Sequence, residues 1–406
     1  MTPLWTDVCA ATESPRYRFG TQRAVPPTQT LRRIAPLLPR AGITRLADVT
    51  GLDWIGLPVY QAIRPNSRNI SVSQGKGLTR SQAKVSALME SLESFHAESI
   101  DQPVVHESVG VMREQLPYDV FALPIVAAPK MALERDLEDD PYAPRLGSPS
   151  LLNDGMVVEW IAATDLETGQ ATWLPRQLCE LNFSIAERLC PPLFRASSNG
   201  LASGNTIAEA LVHGLCEVIE RDALWRQQAV NAERCIDLSS IRAGLVRQLI
   251  ERFARVNMRT RVVDATGPTG VPCCVAFLTH GESPGQYYGA GCHPSRTTAL
   301  LRALTEAAQS RLGHIAGSRD DLVRRSYLGV TEWPSTEEPA RVTVALRDIP
   351  TLPVHGWSSV LHDLISRVRR LTGMPPMAVD LRREEFGLPV VQVVAPGLQL
   401  IPPSRR

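Results

Sequence analysis

The chain has 406 residues, 44% of them hydrophobic and 21% charged, a composition that excludes a largely disordered protein. Its 43 Lys plus Arg nearly cancel its 42 Asp plus Glu, and a net charge of +1 gives no general attraction to nucleic acid or to an acidic membrane. No apolar run reaches the ~18 residues of a membrane span, and residues 1–23 contain no apolar signal-peptide core. The eight cysteines are scattered, none forms C-x-x-C, and no pair of pairs suggests zinc. A reducing cytoplasm is the expected compartment. Only Lys76, Lys84 and Lys130 are lysines; every other Lys/Arg position is Arg.

In chain order, residues 1–65 read as an N-terminal α/β segment. Within it, Gly20-Thr-Gln-Arg23 reads as a turn that enters a helix at Pro26-Pro27-Thr28. Residues 66–320 read as a catalytic core. They contain three segments that align without gaps: Ala83–Glu93 (AKVSALMESLE), Ala210–Glu220 (ALVHGLCEVIE) and Ala299–Gln309 (ALLRALTEAAQ). Each follows one template, A-x-x-polar-small-L-x-E-x-x-(E/Q), and an internal repeat of this kind is the first thing to seek. Apolar residues at i, i+3 and i+4 predict three helices. Thr79 or Ser81, Asn205 or Thr206, and Ser295 supply start signals, and Thr206-x-x-Glu209 fits a capping box. A glycine turn precedes each helix: Gly75-Lys76-Gly77, Gly200 to Gly204, and Gly289-Ala-Gly291. The polar stretch Gly147 to Gly155, with Asp139-Asp140 nearby, reads as a loop. Residues 259–265 and 272–279 read as strands, with Cys273-Cys274 buried in the second. Residues 321–406 read as a C-terminal subdomain that ends in a strand over 389–400.

Residues three and four apart share a helix face. Ser86, Glu90 and Glu93 therefore form one polar stripe. Asn205, Glu209, His213, Glu217 and Glu220 form a second, and Arg302, Glu306 and Gln309 a third. A single stripe of this sort is ordinarily a solvated face. Three copies on strongly apolar helices point instead to a shared internal cleft. Carboxylates that converge need cations, and all-oxygen donors suit Mg2+, which commonly accompanies nucleotide phosphates. Arg221 and Arg302 could then face the phosphates, and the glycine turns would leave backbone N–H groups for anions. His213 is read equally as a structural hydrogen-bonding group or a catalytic one; His96, His293 and His314 read as structural. No P-loop, dinucleotide fingerprint, kinase motif set or nucleophile elbow is present.

At these residues the sequence resembles the YcaO family. The match is carried by residues 71–98, 197–224 and 289–312, with the spacings S-x3-E-x2-E, N-x3-E-x7-E-x2-E-R and R-x3-E-x2-Q. The resemblance implies an α+β, YcaO-type fold, with mixed sheets layered with helices and three repeated modules around an ATP cleft. It implies an ATP- and Mg2+-dependent enzyme that activates a peptide backbone amide. By the same resemblance Ser86, Asn205, Glu209, Arg221, Arg302, Glu306 and Gln309 would bind nucleotide, joined by Arg23 and Thr30 from the N-terminal segment. Glu90, Glu93, Glu209, Glu217 and Glu220 would hold metal, and Glu217, Arg221 and Arg302 would carry catalysis. Residues 42–77, with Thr50-Gly51-Leu52-Asp53 and Pro65-Asn66-Ser67, are similar to YcaO proteins that accompany a TfuA-type partner. That branch implies thioamide formation on a peptide or protein, with sulfur from an external donor. A homodimer is compatible with this reading; nucleic acid and membrane are not expected partners. Azoline-forming cyclodehydration, amidine-forming macrocyclisation and a nucleotide-binding accessory role stand as alternatives. The end of the chain, Ile401-Pro402-Pro403, lacks the Pro-x-Pro-x-Pro tail of many azoline-forming relatives.

Overall fold

The computed structural model describes residues 1–10, 14–125, 151–184, 192–230, 234–242, 244–280, 283–319 and 342–400. The Asp139-Asp140 stretch and the Pro402-Pro403 end lie outside the described residues. The N-terminal part contains helix α1 (Pro3–Ala10), a hairpin of β1 (Arg16–Arg18) and β2 (Thr21–Arg23), and helix α2 (Pro27–Ile34). An antiparallel sheet follows, formed by β3 (Arg45–Asp48), β4 (Val59–Ile63) and β5 (Val72–Lys76), and it leads into α3 (Arg80–Ala97).

The second sheet has strand order β6-β7-β15-β16-β9, with β8 also paired to β7. These strands are β6 (Val104–Ser108), β7 (Val157–Asp165), β8 (Ala171–Pro175), β9 (Leu201–Ser203), β15 (Met377–Asp380) and β16 (Val390–Val394). Short helices α4 (Val109–Arg113) and α5 (Arg176–Cys179) flank it, and α6 (Ile207–Val230) follows β9. The third sheet has order β13-β12-β11-β10-β14: β10 (Arg234–Asp237), β11 (Met258–Asp264), β12 (Cys273–His280), β13 (Ser283–Cys292) and β14 (Val342–Ala345). Helices α7 (Gly244–Arg255), α8 (Arg296–Ala316) and α9 (Trp357–Thr372) complete the described elements. Strands from residues 342–394 thus finish both larger sheets.

The three repeated segments lie on α3, α6 and α8, each the helix after a strand. Their apolar faces are buried: Leu88 and Leu92, Leu211 and Leu215, Leu300 and Leu304 are all 2% exposed or less. The glycines before them serve a different purpose from the one expected. Gly75 lies within β5, and Gly289 and Gly291 within β13, so their backbones are committed to strand pairing. A Cβ on Gly75 would fall 1.9 Å from Ala87 N, and one on Gly291 would fall 2.2 Å from Ala299 O. These glycines let a helix lie directly on its strand. Gly77 N and Gly204 N are likewise occupied, by Pro58 O and Pro389 O. At the C-terminus the strand is shorter than expected. β16 stops at Val394 because Leu398 N turns back to Ala395 O and Gly397 adopts φ +85°. Cys273 and Cys274 are fully buried in β12, as their apolar surroundings suggest. No helix among the described residues is long and apolar enough to cross a membrane.

Candidate active site

Helices α3, α6 and α8 frame a cavity of about 280 Å³. Of the residues singled out above, Arg23, Thr30, Ser86, Glu90, Glu93, Asn205, Glu209, His213, Glu217 and Arg302 line it. Glu220, Arg221, Glu306 and Gln309 do not line it. Glu220, Arg221 and Glu306 stand just behind, charge-coupled to one another and to Arg302. Gln309 is buried and donates through Nε2 to Gln74 O at 2.6 Å, which ties α8 to β5.

One wall joins the N-terminal hairpin to α6. Glu209 has no exposed surface. It accepts from Arg23 Nη1 at 3.1 Å, Ala24 N at 3.0 Å and Asn205 Nδ2 at 3.1 Å. The Thr30 hydroxyl donates to Asn205 Oδ1 at 2.8 Å. The expected capping box is only half formed. Glu209 N donates to Thr206 Oγ1, but the Glu209 carboxylate leaves its own helix start for Arg23, a charged donor that makes the stronger hydrogen bond. Arg23 Nη1 also lies 2.8 Å from His213 Nδ1. Burial, then Arg23 and Arg302, hold His213 well below the ordinary imidazole range, so it is a neutral hydrogen-bonding group.

The opposite wall is acidic. Glu93 Oε1 accepts from Ser203 N at 2.8 Å and Ser203 Oγ at 2.5 Å. Burial pushes its carboxyl up to about 8, opposed by the Ser203 hydroxyl and reinforced by Glu90 and Glu217. Burial pushes Glu217 up to about 7 against the pull of Arg221, and raises Glu90 and Glu220 as well. Arg221 sits 3.7 Å from Glu217 and 3.6 Å from Glu220. Buried carboxylates with raised proton affinity are groups short of positive charge.

Among the described residues, no three His, Cys, Asp or Glu side chains already converge as a metal cage. Mg2+ does not need one, because it is ordinarily held by one or two carboxylates while waters and phosphates complete its octahedron. The all-oxygen pairs Glu90–Glu93 and Glu217–Glu220, raised by burial, fit that requirement.

Sequence reasoning passed over two contributors. Lys76, assigned there only to a glycine turn, lines the cavity with Nζ 2.7 Å from Glu306 Oε2. Its signal is its residue type, one of three lysines in a chain that otherwise uses Arg. Ser203, at the end of β9, carries no sequence signal of its own.

The profile of a family described as YcaO cyclodehydratase, ATP- and Mg2+-binding, matches residues 74–399. An uncharacterized protein in the tfuA 3′ region of Rhizobium leguminosarum bv. trifolii is 34% identical over 395 residues, covering 93% of this chain and 89% of the relative. A heterocyclase solved in complex with substrate and cofactor superposes with TM-score 0.78 at 21% identity, covering 96% of this chain and 54% of that one. This chain therefore spans about half the length of that heterocyclase. YcaO from Methanopyrus kandleri, bound with AMPPCP and Mg2+, superposes with TM-score 0.70 at 22% identity, covering 96% and 95%. The α+β layering described above is the fold of these proteins.

Proposed function

Because the chain belongs to the YcaO family, whose members are ATP- and Mg2+-dependent peptide-modifying enzymes, we propose that it uses ATP to activate a backbone amide and converts it to a thioamide. The observation that carries the ATP-dependent step is the cleft itself. Carboxylates from α3 and α6 face cations from β2, β5 and α8 across one cavity. Glu90, Glu93, Glu217 and Glu220 are the residues that would hold Mg2+, which when bound neutralises phosphate charge; Glu209 would join them only by giving up its contacts with Arg23 and Ala24 N. Arg302 balances charge on the transferred phosphoryl group, with Arg221 and Glu306 acting on it from behind the wall, and Ser86, Asn205, Thr30 and Arg23 position the nucleotide, whereas Gln309 is placed to brace α8 against β5 rather than to touch it. Positioning and charge stabilisation carry most of such a transfer.

In the proposed reaction hydrosulfide adds to the amide carbon, and the amide oxygen takes the γ-phosphoryl group. That oxygen then leaves as phosphate when the C=S bond forms. Amide, hydrosulfide and ATP give thioamide, ADP and phosphate. The relative in the tfuA 3′ region supports a TfuA-type partner and hence the thioamide branch, with sulfur supplied from outside the chain.

The test is to incubate the chain with ATP, Mg2+, sulfide, a TfuA-type partner and the peptide encoded nearest its gene, and then to weigh the peptide. A gain equal to the exchange of oxygen for sulfur supports the proposal. A loss of one water assigns azoline or amidine formation instead. No mass change and no ATP consumption means that the peptide is not the substrate or that the chain is a nucleotide-binding accessory, and nucleotide binding by the chain alone then separates the two.

A further inference from the structure

We propose that Lys76 is a built-in counter-ion of the acidic cleft: it is paired with Glu306 before Mg2+ and nucleotide arrive, then moves to a phosphate oxygen. The inference rests on the nucleotide reading above. Lys76 is the last residue of β5 and lines the cavity beside Glu90, Glu93, Glu217 and Arg302. Its Nζ lies 2.7 Å from Glu306 Oε2 on α8. Its charge also acts on Glu90 of α3 and Glu220 of α6, so one ammonium serves carboxylates on all three repeated helices.

Glu306 is thus already partnered in the absence of metal, by the 2.7 Å contact with Lys76 Nζ. The pair remains open to solvent, with side chains 23% and 32% exposed, so little is lost when it separates.

Residue type fits a mobile role. Arg presents a flat fork that suits fixed bidentate pairing. Lys is a compact charge on a flexible stem with three rotatable donors. Gly75 and Gly77 on either side press β5 against α3: a Cβ on Gly77 would fall 2.5 Å from Gln82 Cβ. The strand is therefore fixed, and the lysine stem is the part that can re-aim.

The experiment uses Lys76→Met and Lys76→Arg in the full chain, with folding checked by circular dichroism. Mn2+ without nucleotide, followed by electron paramagnetic resonance, reports metal affinity. A non-hydrolysable ATP analogue with Mg2+, followed by calorimetry, reports nucleotide affinity. Removing a unit positive charge beside a divalent-cation site should tighten free Mn2+ binding by about tenfold or more. The same substitution should weaken nucleotide binding by about tenfold, because a charge-assisted phosphate contact is lost. Lys76→Arg should restore the wild-type Mn2+ affinity. A purely structural lysine would weaken both affinities together or leave both alone, and either result overturns the counter-ion role. Should Lys76→Met not fold, Lys76→Gln carries the same two expectations. A wild-type chain that binds no Mg2+-nucleotide overturns the underlying reading as well; a wild type that binds it, with Mn2+ affinity unmoved in the variants, overturns this inference alone.

Discussion

Glu217→Gln should make the ligand-free protein more stable at pH 8 while abolishing ATP turnover. The Glu217 carboxyl stands at about 7 in the folded chain against an ordinary value of 4.5, chiefly through burial. A raised carboxyl pKa means that the folded state binds the proton more tightly than the unfolded state. The stability it contributes is fully present below pH 4.5 and is lost as pH rises through about 7. Some two and a half units at 1.36 kcal/mol each, discounted for the 26% exposure of the side chain, give a loss of about 2–3 kcal/mol. Glutamine fills the same space with no charge to desolvate, so this slope disappears in the variant. In a chain of this size the difference is roughly 3 °C in melting temperature at pH 8. The assay is thermal melting from pH 5 to 8, first without divalent ions and then with Mg2+ and a non-hydrolysable ATP analogue. Wild type should gain more from that addition as pH rises, because the ionised carboxylate is the ligating form. The variant should show a flatter gain and no turnover. Parallel pH curves for the two proteins would refute the electrostatics, and wild-type-like turnover would remove Glu217 from the metal site.

Three further outcomes follow from the geometry. Glu209→Ala leaves Arg23 and two N–H donors without their acceptor in a buried wall, and denaturant melts should show a loss of about 3–5 kcal/mol; a loss below 1 kcal/mol would mean that the hairpin is held by other contacts. Gly75→Ala places a Cβ 1.9 Å from Ala87 N, while Gly51→Ala meets nothing within 4 Å; the first should fail to accumulate as folded protein and the second should melt like wild type. Phe19 and Gly20 form the two-residue turn between β1 and β2 with φ of +43° and +89°; Phe19→Asn should stabilise the chain by about 1 kcal/mol, and a lowered melting temperature would refute the turn argument.

Much of the site was legible because its chemistry is carried on helices, where a local period of 3.6 residues places functional groups in register. Ser86, Glu90 and Glu93, or Asn205, Glu209 and Glu217, could be grouped on one face before any tertiary structure was known, and they do line one cavity. Sheet order was not legible. β9 at Leu201–Ser203 pairs with β16 at Val390–Gln392, and nothing local to either strand specifies its partner. The glycines illustrate the same limit. A Gly beside a helix start is compatible with an anion-binding turn and with a close strand–helix contact. Only the distance from Gly75 to Ala87 separates the two.

Glu209 shows why local patterns fail where function gathers. Its spacing from Thr206 promises a capping box, a device worth about 1 kcal/mol that uses neighbours in sequence. The folded chain instead brings it Arg23 from 186 residues away, together with the Ala24 N–H. A fully buried carboxylate needs a full positive charge more than it needs a helix-end N–H, because uncompensated burial of the charge would cost several kcal/mol. The long-range partner therefore wins, and in winning it draws the hairpin that carries Phe19, Thr21 and Arg23 onto the cleft. Lys76 from β5 likewise pairs with Glu306, although that carboxylate is only partly buried. The acidic helices thus recruit cations from strands that share no sequence period with them. A helical template can identify the carboxylates and the arginines that share their helices, Arg221 and Arg302, but cannot name the counter-ions that arrive from strands.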